Sequence, residues 1–106
     1  MNGIADQSIE AWALAKARQI VLSLVAGRDI VVYLYGSRAG GKPRSFSDID
    51  IALDAGGDKI DERLLSEIRE RFEESDIPFT VDVVDLARTA APFRDKIRRE
   101  GIPWND

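Results

Sequence analysis

The sequence contains no cysteine and no histidine. Without cysteine there are no disulfides, no thiolate nucleophile and no zinc–sulfur site; without histidine, the usual general base and the commonest zinc ligand are missing. Any chemistry therefore runs on carboxylates, hydroxyls, Lys and Arg side chains and backbone amides, and a carboxylate-only site suits hard cations such as Mg2+. Long hydrophobic runs are also missing, and MNGIADQSIEAWALAKARQIVLSLV lacks the basic start and continuous apolar stretch of a signal peptide. No membrane association is expected, and the cytosol is the default compartment. Excess positive charge is absent too: the net charge is −4. That argues against holding long nucleic acid by its backbone, while leaving room for a small anionic ligand met by local positive charge or by metal ions.

What is present fits one ordinary globular domain spanning residues 1–106, with 44% hydrophobic and 32% charged residues. A first helix is expected from about Ala5 to Ala26, with Ile9, Ala13, Ile20 and Leu24 as its apolar stripe and Gly27 as its stop. DIVVYLYG reads as a strand buried on both faces. A short helical turn is expected over Ser37–Gly41, followed by the loop GKPRSFS. SDIDIALD alternates, sending Ile49, Ile51 and Leu53 to one face and Asp48, Asp50 and Ala52 to the other. Asp58 suits the N-cap of the next helix, with Asp61 in its first turn and Ile60, Leu64, Ile68 and Phe72 as its stripe. FTVDVVDL reads as a third strand. Pro92 opens a last short helix that Gly101 closes. Helices and three strands in this order imply an α/β fold, a small mixed β-sheet flanked by helices.

Two carboxylates two apart on a strand leave the same face with Cα atoms roughly 7 Å apart, near enough to share a bound cation or to flank a pair. Asp82, set in the apolar run Val81-Asp82-Val83-Val84, is a third candidate; Asp85 is its rival but points to the opposite face. On its own, a pair of strand aspartates also fits a solvated sheet face. Gly36-Ser37 ends the first strand, where glycine admits close backbone approach and the next amides with the Ser37 hydroxyl can donate to phosphate oxygens. A tight turn is the competing explanation. No GxxxxGK[ST] pattern occurs, so the site is not a P-loop.

The whole arrangement, Gly36-Ser37, ten residues, then Asp48-x-Asp50, with a later strand carboxylate, resembles the signature of the polymerase-beta-like nucleotidyltransferase superfamily, in particular its minimal nucleotidyltransferase branch. The resemblance implies that Gly36 and Ser37 bind the β- and γ-phosphates of an NTP. It implies that Asp48 and Asp50 bind two Mg2+ ions, and that Asp82 ligates the catalytic metal and accepts the proton of the attacking hydroxyl. Arg38, Lys42 and Arg44 become candidate triphosphate contacts, equally readable as a solvated basic loop. Minimal members are typically paired with a small helical HEPN toxin, which they adenylylate, commonly on tyrosine. The implied function is thus an antitoxin that transfers AMP from ATP to a hydroxyl of its partner. Two alternatives are a nucleotide-binding antitoxin acting by contact alone, and a transferase acting on a small molecule or a tRNA end. GIPWND is expected either to dock a partner through Trp104 or to fold back over the core.

Overall fold

The computed structural model describes residues 2–36 and 48–105. The expected helical turn after Gly36 lies outside them. In chain order the elements are α1 (Asn2–Val25), β1 (Val31–Tyr35), β2 (Ile49–Asp54), α2 (Glu62–Glu74), β3 (Val81–Asp85), a 3-10 turn (Leu86–Arg88), α3 (Ala91–Glu100) and β4 (Ile102–Pro103). The sheet runs β3-β2-β1-β4 and is mixed: β1 pairs antiparallel with β2 and with β4, while β2 and β3 are parallel, joined across α2. The α/β reading with a mixed sheet holds, with one strand more than expected.

The period of two along each strand separates two faces. Ile49, Ile51 and Leu53 are wholly buried with Val32, Leu34 and Val83 against α1 and α2, in the main core. Val31, Tyr33 and Tyr35 of β1 look the other way and are only half-buried, so β1 is not buried on both faces. There a smaller core gathers Ala52, Leu86 and Ile97 with Tyr33, Tyr35 and Val84 beneath α3. Gly101, which ends α3, is required by this packing. A Cβ there would sit 2.6 Å from Ile97 O and 3.2 Å from the Tyr33 ring.

Helix α1 buries Ala13, Ala17, Val21 and Val25, spaced by four, and leaves Ile9 and Trp12 at the surface. The expected stripe through Ile9, Ile20 and Leu24 is corrected by about one position. The helix is apolar on most of its circumference, so periodicity alone does not select the inward face. Alanine at the first two inward positions lets α1 approach closely.

The start of α2 is also corrected. Its N-cap is Asp61, whose Oδ1 accepts from Arg63 N at 3.0 Å. Asp58 is held instead in a bridge with Ala55, and Ile60 N donates to the buried Asp85 at 2.8 Å, so the chain cannot turn helical before residue 61. The C-terminal stretch is the unexpected strand. Trp104 N donates to Val32 O, the Asn105 side chain bonds Val32 N and Ile30 O, and the Trp104 side chain joins the main core. Arg18 donates to Trp104 O. Of the two readings of GIPWND, docking is overturned: the tryptophan is folded back.

Candidate active site

Sheet register builds the site. On the α3 face, Tyr35 of β1 lies opposite Asp50 of β2, and Asp50 lies beside Asp82 of β3, giving one row across three strands. Adjacent strands are about 4.8 Å apart, so the two carboxylates are first neighbours on one face. The next row, Tyr33, Ala52 and Val84, is apolar and covered by Ile97. The row after it contains Asp54, which takes a two-pronged contact from Arg98 of α3, Nε to Oδ2 at 2.9 Å and Nη2 to Oδ1 at 3.1 Å. That hydrogen bonding holds the Asp54 carboxyl below the usual carboxylate range. Asp54 is thus a structural partner of α3, whereas Asp50 and Asp82 lie where α3 leaves the sheet open.

Gly36 joins the first half of the motif to the second. Its φ is +80°, in the left-handed region, and a Cβ on it would fall on Asp50 Oδ2 and lie 3.3 Å from Asp50 Cγ. The glycine therefore brings the backbone at the end of β1 against the carboxylate. Tyr35, not foreseen as a site residue, has its hydroxyl pKa pushed up to about 12, by burial first and then by the charges of Asp50 and Asp82. It stays a neutral donor at physiological pH. The tyrosine immediately before the Gly-Ser pair was the available signal, but in an apolar strand it reads as core.

Asp85 is on the other face, as expected. Its buried carboxylate accepts from Ile60 N, Ala87 N at 3.0 Å and the Arg88 guanidinium, pinning the turn after β3. It is not available to the row. A cavity of about 440 Å³ beside it is lined by Arg69 and Arg88, but both guanidiniums are engaged, Arg69 by Val83 O and Arg88 by Asp85 and Ile60 O. That cavity lies away from the acidic row.

Asp48 is exposed and immediately precedes β2, two residues from Asp50. Among the described residues no group of three or more carboxylates is gathered closely enough to hold a metal ion by itself. Mg2+ is ordinarily held by one or two carboxylates together with substrate phosphates and water, so an Asp50–Asp82 pair with Asp48 at its rim fits that ion in donor type and number. Ser37, Arg38, Lys42 and Arg44 lie outside the described residues.

The polymerase beta nucleotidyltransferase profile matches residues 27–103, from the turn before β1 through β4. The chain belongs to that nucleotidyltransferase family. The resemblance drawn from Gly36-Ser37 and Asp48-x-Asp50 is thereby confirmed, and with it nucleotidyltransferase activity. The chain is 35% identical over 99 residues to the probable protein adenylyltransferase MntA of Haemophilus influenzae, covering 93% of this chain and 84% of that protein. A crystal structure of a toxin–antitoxin with AMP-PNP is similar at a TM-score of 0.64 and 25% identity, over 83% of this chain and 72% of that one. A nucleotidyltransferase structure from Sulfolobus solfataricus shares the fold at a TM-score of 0.57 and 22% identity, over 92% of this chain and 84% of that one.

Proposed function

We propose that this nucleotidyltransferase transfers AMP from ATP to a hydroxyl on a partner protein, as the antitoxin of a toxin–antitoxin pair. The observation that carries the reading is the Asp50–Asp82 register with Gly36 against Asp50, which supports one site built from all three parts of the motif. The likeness to a protein adenylyltransferase and to a toxin–antitoxin structure with AMP-PNP supports the choice of donor and acceptor. The partner is taken to be a helical toxin of the HEPN type, and the cytosol, where ATP is abundant, to be the compartment; among the described residues no helix is long and apolar enough to cross a membrane.

In this scheme Gly36 and Ser37 hold the β- and γ-phosphates, aided by Arg38, Lys42 and Arg44 from the loop that follows. Asp48, Asp50 and Asp82 hold Mg2+, which when bound offsets phosphate charge and makes the acceptor hydroxyl a better nucleophile. The acceptor oxygen forms a bond to the α-phosphorus as the bond to the β-phosphate bridge breaks. Pyrophosphate departs on the Gly36 side, and Asp82 takes the hydroxyl proton. Tyr35, kept neutral, donates toward the charge concentrated on this row. No histidine is needed.

Incubation with labelled ATP, Mg2+ and the product of the neighbouring reading frame tests the proposal. Label transfer and a mass gain of AMP on the partner are expected, both abolished by Asp48→Asn with Asp50→Asn. Partner inhibition that survives the double substitution, with no mass gain from the wild type, would refute catalysis in favour of neutralisation by contact. Label on tRNA or a small molecule instead would refute the protein acceptor.

A further inference from the structure

Strand β3 is the outer strand of the sheet on the side away from β1. Ile49 N donates to Thr80 O, and Ile49 lies level with Val81. In a parallel ladder that geometry turns the N–H and C=O groups of Thr80, Asp82 and Val84 toward β2, and those of Val81, Val83 and Asp85 outward. Val83 O agrees, since it accepts from Arg69 Nη2 at 2.8 Å. The cavity of about 440 Å³ follows this outward edge, walled by Val84 and Asp85 of β3, Ser66 and Arg69 of α2, and Arg88 and Thr89 after the strand. Its charges are unevenly matched. The Asp85 carboxylate is met by Arg88 and two amides, and exposed Glu62 stands 3.8 Å from Arg88 Nη2. Arg69 has only a neutral carbonyl, and among the described residues it makes no ion pair.

We propose that the acceptor protein docks on this edge: an extended segment lies along β3, with an acidic side chain on Arg69 and its hydroxyl residue level with Asp82. The inference rests on the protein-adenylylation reading above and deepens it. In that reading pyrophosphate departs on the Gly36 side. In-line transfer puts the attacking oxygen opposite the leaving one, so the acceptor arrives at the Asp82 end of the row. Asp82 is exposed, and among the described residues no strand lies beyond β3. The cavity stops short of the row, but it borders the same strand, with Val84 two residues on from Asp82. A segment bonded to the outward groups of Val83 and Asp85 extends the sheet, and its side chains then alternate between the two faces. The residue level with Asp82 sends its hydroxyl to the α3 face, one strand spacing from that carboxylate. The neighbour level with Val83 points to the α2 face, where Arg69 reaches the edge. Strand parity therefore ties the two requirements together: an acidic residue adjoins the hydroxyl residue. An arginine across an edge also guards it against unwanted pairing. The same side chain yields Val83 O to a segment that offers it a carboxylate in exchange, a charge-assisted bond for a neutral one.

The test uses the full chain with labelled ATP, Mg2+ and three peptide probes, TVEYEVT, TVQYQVT and TVKYKVT, flanked symmetrically so that either strand direction is served. One hydrogen bond to a charged group corresponds to about a tenfold change in affinity. The wild type is expected to label TVEYEVT with a kcat/KM about tenfold above that of TVQYQVT, with TVKYKVT the poorest, and the difference should lie in the KM for peptide. Arg69→Gln should erase the preference and Arg69→Glu should turn it toward TVKYKVT, a reversal that a merely structural role would not give. Arg69 is exposed, so both variants should fold. In heteronuclear NMR spectra the Val83 and Asp85 amide signals of the wild type should move on adding TVEYEVT, whether or not so short a probe is labelled. Edge amides that stay in place, equal turnover of the probes where any is labelled, or a preference untouched by Arg69→Glu overturns the docking site and leaves the transferase reading intact. Absence of AMP on the product of the neighbouring reading frame overturns the protein-acceptor reading and this site with it.

Discussion

Gly36→Ala tests the link between the two halves of the motif. The substitution has two separable penalties. A φ of +80° places any residue with a Cβ in left-handed backbone, which costs about 1–2 kcal/mol. The new methyl would also coincide with Asp50 Oδ2, an overpacking term of about 1–3 kcal/mol if Asp50 must swing aside. Together they give about 2–5 kcal/mol. At about 4–8 °C per kcal/mol for a domain near this size, the melting temperature should fall by about 10 °C or more. Urea unfolding of Gly36→Ala, Asp50→Ala and the double variant separates the terms. With Asp50 truncated, only the backbone penalty should remain, leaving a coupling of about 1–3 kcal/mol between the sites. A Gly36→Ala penalty of the same size with and without the Asp50 carboxylate would refute the contact. A penalty below about 0.5 kcal/mol would refute the left-handed conformation as well.

Asp85→Ala should destabilise by about 3–5 kcal/mol, measured by chemical denaturation, because it strands the Ile60 amide and the Arg88 charge; nucleotide transfer by the remaining folded protein should persist, since Asp85 lies off the row. Ultraviolet titration should find Tyr35 ionising near pH 12, and Asp50→Asn should lower it only in part, since burial, the larger cause, and the Asp82 charge remain. The folded pKa exceeds the unfolded one, so this group's contribution to stability is intact below pH 10 and is lost as the pH rises from about 10 to 12. Asp54 has the opposite sign: its depressed pKa stabilises above the usual carboxylate value near 4 and is lost as the pH falls through the lower folded value. Carboxyl NMR should show that pKa rise in Arg98→Ala.

Much of the fold was legible because β2 obeys one rule without interference. Ile49, Ile51 and Leu53 share a face, and all three are fully buried. The misreadings fall where a tertiary contact outbids a local signal. Asp58 is as good a cap by sequence as Asp61, but the Asp85 carboxylate, 25 residues away, holds the Ile60 amide and moves the helix start. The inward face of α1 was ambiguous because apolar residues surround the helix. Strand β4 is two residues long and includes a proline, so no periodicity announces it; it exists because Trp104 has core space to fill and Asn105 can satisfy the Val32 amide and the Ile30 carbonyl.

The site divides along the same line. Spacing in the sequence singles out Gly36, Asp48 and Asp50 as candidates, and an aspartate inside an apolar strand singles out Asp82. Which carboxylate neighbours which is a matter of register, and register between parallel strands separated by a whole helix is not written in either strand. It is set where Ile49 N meets Thr80 O, one step ahead of the Asp50–Asp82 pair. A slip of one residue would put Val81 or Val83 beside Asp50 and send Asp82 into the core, where a bare carboxylate is strongly disfavoured. The alternation Val81-Asp82-Val83 thus favours the same register that the proposed chemistry needs: burying Val83 and placing the Asp82 carboxylate in the row are one event. Tyr35 carried a weaker signal, its place immediately before Gly36-Ser37, because an aromatic at the end of an apolar strand reads as packing until the register sets it opposite Asp50.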